Sequence, residues 1–310
     1  MKIIHLRSGK EIRLSENDTV SCAIGNFDGV HLGHRALISA AAKKTEGCTK
    51  RAVFTFSEPS SKEMSGAHLI TSPKERFSYF LKLGIDIVFL EDFAAVRKLS
   101  AEDFVRCVLF EKCHVRNTVC GFNFRYGKGA MGTAETLKSD MESLGGKAVI
   151  IPPYRMGESV VSSTEIRAAL ERGDVTTAKE MLGRPYALTA EVLHGKKLGR
   201  TLGFPTANQK FPLGRQIPRF GVYAVAVEAD GAFYTGVANV GVRPTVENTE
   251  EGNVETHLFH FDGDLYGKTV TTYFYKFLRP EQKFADVHEL KSAVDADILK
   301  AKSFFQEEKL

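Results

Sequence analysis

Residues 25–34 read Gly-Asn-Phe-Asp-Gly-Val-His-Leu-Gly-His, a run that holds the residue types needed to stabilise charge on a phosphate. An apolar strand-like stretch, Thr19 to Ile24, precedes it and a helix-like stretch, Arg35 to Lys44, follows, so Gly25, Gly33 and both histidines fall on a strand-to-helix turn. Backbone N–H groups at a helix N-terminus are unpaired and carry partial positive charge, and glycine lets phosphate oxygens come close. His31 and His34, three apart, share one helix face. The imidazoles can donate hydrogen bonds to an α-phosphate while another phosphate displaces pyrophosphate in line, with no covalent enzyme intermediate. A strand-to-helix turn often carries glycine and a polar cap for purely structural reasons. The His-Leu-Gly-His spacing after Asp28-Gly29 is more specific than that.

A second constellation, Gly121-Phe-Asn-Phe-Arg-Tyr-Gly-Lys128, puts Asn123 and two cations just past another strand candidate; the plain alternative is a solvated basic loop. The same loop formally matches a dinucleotide fingerprint, Gly127-x-Gly129-x-x-Gly132. No acidic residue ends a following strand about 20 residues on, so that match is rejected. Ser162-Ser163-Thr164-Glu165-Ile166-Arg167 opens a helix, either as a capping box or as a second set of N-terminal donors with Arg167 placed for a triphosphate or pyrophosphate. Further on, Gly195-Lys196-Lys-Leu-Gly199-Arg-Thr201-Leu-Gly203-Phe-Pro205-Thr206-Ala-Asn208 is a glycine-rich basic loop suited to fold over ATP phosphates, with Thr206 and Asn208 as hard oxygen ligands for Mg²⁺. Glu255 lies in a strand candidate among apolar residues, where burial can make it basic enough to take a proton from an alcohol, although an exposed strand carboxylate is the simpler interpretation. His257 and His260 fall on opposite faces of that run and are not expected to share a metal. Gly263-Asp-Leu-Tyr-Gly267-Lys-Thr269, one residue short of a P-loop, reads as a hairpin turn.

The elements that must position these residues show in the patterning. At 310 residues and 43% hydrophobic content, two domains with separate cores are expected. Strand candidates at 19–27, 51–56, 86–90, 117–123 and 147–151 alternate with helical periods at 34–46, 73–83, 101–112 and 133–144, as in a parallel sheet covered on both faces, whose ligands bind at the carboxyl ends of the strands. Two short helices follow, and Gly183-Arg184-Pro185 marks the boundary between domains 1–183 and 184–310. Beyond it, alternating strands with turns at Asp230-Gly231 and Asp262-Gly263 predict an antiparallel barrel or sandwich. A closing helix over 284–308 carries a core stripe from Phe284 and Val287 to Ala301 and Phe305.

A formal charge of +4 suits anionic small molecules and is too weak to indicate a nucleic-acid surface. No stretch approaches the ~18 apolar residues needed to span a bilayer, and the start of the chain has no signal-peptide core, so neither membrane nor nucleic acid is an expected partner and the location expected is cytoplasmic. Five cysteines without C-x-x-C spacing read as reduced, mostly buried thiols.

Taken together and in order, GNFDGVHLGH, GFNFRYGKG, SSTEIR, GRTLGFPTAN, GVRPT and VETHL resemble the bacterial bifunctional riboflavin kinase/FAD synthetase family over nearly the whole chain. The resemblance implies a Rossmann-like α/β nucleotidyltransferase domain that adenylylates FMN, then a six-stranded β-barrel that phosphorylates riboflavin, with ATP as co-substrate and Mg²⁺ as metal. It implies that His31, His34, Asn123, Ser163, Thr164 and Arg167 serve adenylyl transfer, with Gly25, Phe27 and Asp28 forming the turn around the nucleotide. It also makes Thr206 and Asn208 the Mg²⁺ and ATP ligands of the kinase site, Glu255 the base for the ribityl 5′-hydroxyl, and Arg279 a flavin-side contact. One departure stands out: where the family has Pro-His-Pro after the second strand, this chain reads Ser57-Glu58-Pro59-Ser60-Ser61. Losing that histidine and adding Glu58 would weaken ATP binding in the first domain, which makes a kinase-only enzyme one alternative. A flavin- or RNA-binding protein without turnover is the other.

Overall fold

A computed structural model describes residues 1–6, 14, 15, 17–43, 47–56, 68–195, 199, 202–243 and 251–308. Lys196, Thr201 and the Ser57–Ser61 departure lie outside the described residues. The chain divides into two compact units, Met1–Ser163 and Thr164–Leu310.

The first unit holds a six-stranded sheet of β1 (Lys2–His5), β2 (Val20–Ile24), β3 (Lys50–Phe56), β4 (Ile87–Glu91), β5 (Val115–Gly121) and β6 (Lys147–Ile151), in the order β1-β4-β3-β2-β5-β6. Every pairing is parallel. Side-chain alternation gives the central strands two apolar faces. Ala23, Val53, Val88 and Val119 pack with Ile38 and Ala41 of α1 (Leu32–Ala42) and Phe80 of α2 (Pro73–Lys82), while Cys22, Phe54 and Phe89 pack with Phe104 and with Leu137 of α3 (Ala134–Ser143). The helix expected over 101–112 changes character at Phe104, where Phe104–Lys112 takes the wider π-helical turn, with Cys113 N–H reaching the carbonyl of Val108. Burial pushes the thiols of Cys22 and Cys113 well up and that of Cys120 to about 11, so they act as apolar core residues. Strand order reverses between β2 and β5, which places a topological switch point at their shared carboxyl edge.

In the second unit, α4 (Ser163–Arg172, its first residue in unit one) and α5 (Val175–Leu182) precede a six-stranded antiparallel sheet. Its strands are β7 (Tyr186–Glu191), β8 (Ala207–Lys210), β9 (Gly221–Ala229), β10 (Ala232–Arg243), β11 (Glu251–Leu258) and β12 (Thr269–Pro280), in the order β7-β12-β9-β10-β11-β8. The two end strands nearly close into a barrel: Leu193 N–H donates to the Asn208 carbonyl, and the inward Gln209 amide donates to the carbonyls of Ala190 and Val270, 3.0 Å each. Both helices pack in this unit, with Arg219 N–H on the Leu170 carbonyl and Gly173 against the Phe277 ring, so contact breaks about twenty residues before the Gly183–Pro185 punctuation.

Asp230-Gly231 forms the expected two-residue hairpin, with φ of 52° and 80° as a type I′ turn requires. Asp262-Gly263 does not. The strands on either side of it, β11 and β12, are not neighbours, so residues 259–268 cross between strands, and the Gly263–Thr269 segment is not a hairpin turn. Alternation alone cannot tell a hairpin from a crossover. The closing helix α6 (Val287–Glu308) packs Ala301 and Phe305 on Val222, Ala224 and Val237, but the N-terminal end of the expected stripe is not core: Val287 is 55% exposed.

Asp297, buried on α6, accepts from Arg279 Nε at 2.9 and 3.1 Å and faces its Nη2 at 2.8 Å, which pins the helix to β12. Replacing Arg279 with Met leaves that carboxylate without its cation. It should lower the stability of the barrel unit by roughly 3 kcal/mol, read as an earlier thermal transition by circular dichroism.

Candidate functional site

Two groups of residues combine convergent polar chemistry with a forced local geometry. The first is the turn after β2. Phe27, Gly29 and Val30 have φ of 54°, 83° and 41°, a left-handed path that two non-glycine residues adopt only because their side chains are anchored. Phe27 and Val30 are fully buried, and the Phe27 ring meets Phe80 and His34 edge-on at 5.8 and 5.3 Å. The Asp28 carboxylate, 2% exposed, accepts from the N–H groups of Ile70 and Thr71 at 3.1 Å and from the Thr71 hydroxyl at 3.3 Å. Its backbone carbonyl accepts from Ser163 Oγ at 2.9 Å. Gly25 passes so close to the Phe27 ring that a Cβ would lie 3.2 Å from it.

This turn delivers His31 to the N-cap of α1, where Nδ1 accepts the His34 N–H at 3.2 Å. An accepting Nδ1 carries no proton, so the neutral ring holds its proton on Nε2 and can donate there. His34 stacks on His31 with 3.6 Å between ring centroids and 19° between planes. Gly33 makes room for this, since a Cβ there would come within 3.2 Å of the His31 ring. Asn123 is exposed in the turn after β5, the strand beside β2, so it shares the carboxyl edge of the sheet with the histidines, and its Oδ1 lies near the Gly121 backbone. Thr164 and Arg167 stand in the first two turns of α4 and belong to the second unit.

The second group surrounds β8. Register places Glu255 directly opposite Asn208 on one side and Asn239 on the other, so the three side chains share the outer face of the barrel. Glu255 is half-buried and its Oε1 accepts from Asn253 Nδ2 at 3.2 Å, while Asn239 Nδ2 donates to Glu281 at 3.2 Å. The next residue along, Thr256, pairs with Ala207 and faces inward.

A cavity of about 280 Å³ opens on that inner side and reaches Thr206 and Asn208 at the start of the strand. Asp262, Asp264 and Tyr266 of the 259–268 crossover also line it, and Tyr266 stacks on His194 at 4.0 Å. Gly195 lines it too, and a Cβ there would fall 2.7 Å from the Asn208 amide. Gly199 closes a tight turn against Phe204, Gly203 takes φ 92°, and the Pro205 carbonyl is held 3.0 Å from His257 Nδ1. Among the described residues no group of three His, Cys, Asp or Glu is placed to hold a metal.

Thr206 Oγ1 and the Asn208 amide oxygen are neutral hard donors beside an open cavity, a set that suits Mg²⁺ sharing its shell with phosphate and water. Arg279 donates to Asp297 and to the Pro280 carbonyl, which fixes its guanidinium where β12 meets α6. Sequence reasoning missed Asn239, Thr256, Asp262 and Tyr266. The first two needed strand register, and the others were mistaken for hairpin.

Two substitutions test these geometries. Asn at position 31 can still cap α1 but lacks the Nε2 donor, so His31→Asn should lower the rate of the adenylyl transfer that the resemblance implies by roughly 10²–10³ with little change in melting temperature. Gly195→Ala should displace Asn208 and cut the riboflavin phosphorylation that the resemblance implies by at least about tenfold while leaving the implied FMN adenylylation intact, as chromatography of the flavins would show.

The riboflavin kinase family model matches residues 182–305, and the FAD synthetase model matches 13–165. Relatives named bifunctional riboflavin kinase/FMN adenylyltransferase include one from Bacillus subtilis, 34% identical over 98% of both chains, and one from Pseudomonas fluorescens, 36% identical over 90% of this chain and 91% of its own. A crystal structure titled as a macrolide-efflux protein from Streptococcus pneumoniae is also similar. It is 31% identical, covers 97% of this chain and 99% of its own, and has a TM-score of 0.86. Among the described residues no helix is long and apolar enough to cross a membrane.

Proposed function

From the premise that the chain belongs to the bifunctional riboflavin kinase/FMN adenylyltransferase family, we propose that adenylyl transfer occurs at the Gly25–His34 turn and phosphoryl transfer at the β8–β11 face. The protein phosphorylates riboflavin to FMN with ATP, and adenylylates FMN to FAD with release of pyrophosphate. Both family models match, and nothing favours a kinase-only enzyme with a silent first domain. We assign adenylyl transfer to residues 1–183 and the kinase to 184–310.

The observation that carries the kinase assignment is the Asn208–Glu255 register beside the cavity. The ribityl 5′-oxygen attacks the γ-phosphorus, the bond from the γ-phosphorus to the bridging oxygen breaks, and ADP leaves as the hydroxyl proton passes to the Glu255 carboxylate. Asn208 belongs to both sides, sharing the outer face with Glu255 while lining the cavity, so phosphates lying along Thr206 and Asn208 would present their terminal group near the base. Mg²⁺ held by Thr206 and Asn208 would neutralise phosphate charge there. Gly195, Lys196, Gly199, Thr201, Gly203 and Pro205 are assigned to the loop that covers the nucleotide.

At the first site an FMN phosphate oxygen attacks the α-phosphorus of ATP and pyrophosphate departs. His31 Nε2–H and His34 stabilise charge on the α-phosphate oxygens. Asn123, Ser163, Thr164 and Arg167 are assigned to nucleotide and pyrophosphate binding, Ser163 also bracing the Asp28 backbone. Free cysteines throughout and nucleotide substrates suit a cytoplasmic location.

Separating riboflavin, FMN and FAD chromatographically, after parallel incubations from riboflavin and from FMN with ATP and Mg²⁺, tests the assignment. Glu255→Gln should slow FMN formation by roughly 10²–10⁴ and leave FAD formation from FMN unchanged. Loss of both activities in the folded variant would refute two separate sites.

A further inference from the structure

Backbone pairing between β8 and β11 stops at Ala207 and Thr256. Pro205 and Thr206 therefore lie outside the ladder, and Pro205 has no N–H with which to extend it. Thr206 is nonetheless one of the two side chains suited to Mg²⁺, and such a ligand has to be held in place by something other than the sheet. Asn208 supplies one tether, its Nδ2 donating to the Thr206 carbonyl and hydroxyl at 3.3 and 3.4 Å. His257 supplies the other: its Nδ1 lies 3.0 Å from the Pro205 carbonyl. A carbonyl only accepts, so Nδ1 carries the proton and donates it. The imidazole meets two rings edge-on in turn, Phe204 at 6.2 Å and Phe259 at 6.0 Å between centroids.

We infer that His257 is a positioning residue of the kinase site, which fixes the Pro205–Thr206 stretch so that the oxygens of Thr206 and Asn208 stand at a set distance from Glu255. The inference rests on the kinase assignment above. Glu255 and His257 are two residues apart on β11, so both side chains leave the same face, roughly 7 Å apart along the strand. Across from them Asn208 pairs with Glu255, and the chain beyond the last pair is caught by His257. One strand thus carries both the base and the clamp on the segment that supplies the phosphate-side oxygens. Movement of that segment would change the distance between alcohol and phosphate without altering any group that reacts, and in-line phosphoryl transfer depends on that distance. The imidazole need not titrate in this role, because Nδ1 keeps its proton both in the neutral tautomer that faces the carbonyl and in the cation.

The test compares two variants with the wild-type full-length protein. His257→Phe keeps a ring beside Phe204 and Phe259 but has no donor, and His257→Asn puts an amide nitrogen in the place of Nδ1. In riboflavin phosphorylation His257→Phe should lower kcat by roughly 10–10² with KM for riboflavin unchanged. Calorimetry reads the tethered oxygens apart from turnover: ADP binding in the presence of Mg²⁺ should weaken by roughly tenfold in His257→Phe, and binding without Mg²⁺ should not change. The melting temperature should stay level, since the lost hydrogen bond is exposed to solvent. His257→Asn should restore both readings and keep the wild-type pH profile, which a proton-transferring imidazole would not allow. Unchanged kcat and unchanged Mg²⁺-dependent ADP binding in folded His257→Phe would overturn the inference, as would a His257→Asn protein as impaired as His257→Phe or altered in its pH profile. Wild-type protein that binds ADP with Mg²⁺ but makes no FMN would sink the kinase assignment alone, and the calorimetric comparison would still decide the role of His257.

Discussion

A carboxylate buried to 2% exposure cannot be left without donors, and Asp28 in the first unit meets that demand by drawing together parts of the chain far apart in sequence. Ile70 and Thr71 come to it from the segment before α2, and the Thr71 hydroxyl also accepts the Gly29 N–H at 2.9 Å. Two residues earlier, the Asn26 carbonyl accepts from Arg76 Nη1 at 2.8 Å and Thr55 Oγ1 at 3.2 Å, both from fully buried side chains. Burial lowers the Arg76 guanidinium from its ordinary value, and the Asp28 charge works against that. The left-handed backbone at Phe27 and Val30 is therefore over-determined, and the imidazole pair inherits its rigidity. Donors fixed before substrate arrives need no reorganisation as charge develops, which is where such a site gains its rate.

The barrel solves a different problem. A kinase must hold a polyanion and an alcohol on either side of one phosphorus atom while keeping the two binding regions apart. A β-strand does this through its pleat, because neighbouring residues point to opposite faces. Along β11, Glu255 belongs to one face and Thr256 to the other, and the short strand β8 repeats the division with Asn208 and Ala207. At the start of β8, Asn208 shares the face of Glu255 and also lines the cavity, with Thr206 beside it. The Gln209 amide, bonded across the seam to Ala190 and Val270, keeps that strand in place.

The parts of this arrangement that were legible in sequence are local in origin. His31 and His34 could be found because a helix start fixes which residues share a face, and the Asp230-Gly231 hairpin because two left-handed residues dictate it. Residues whose roles depend on which strands become neighbours were not legible. Asn239 acquires meaning only from its register opposite Glu255. Tyr266 and Asp262 looked like turn residues because strand alternation on both sides of them is the same whether the chain doubles back or crosses over. Arg279 carried family meaning in sequence, but its partner Asp297 lies on a helix eighteen positions away, and a buried aspartate inside an amphipathic stripe reads as solvent-facing until its cation is seen.

The two sites differ in what a substitution can damage. At the Gly25–His34 turn, capping, backbone path and catalysis share the same few residues, so many changes there act on stability and rate together. In the barrel the strand register is set by backbone pairing, and Glu255 and Thr256 add little to it through their side chains. Chemistry placed on a sheet face is therefore open to change one side chain at a time, whereas chemistry placed in a strained turn is held together with the fold that supports it.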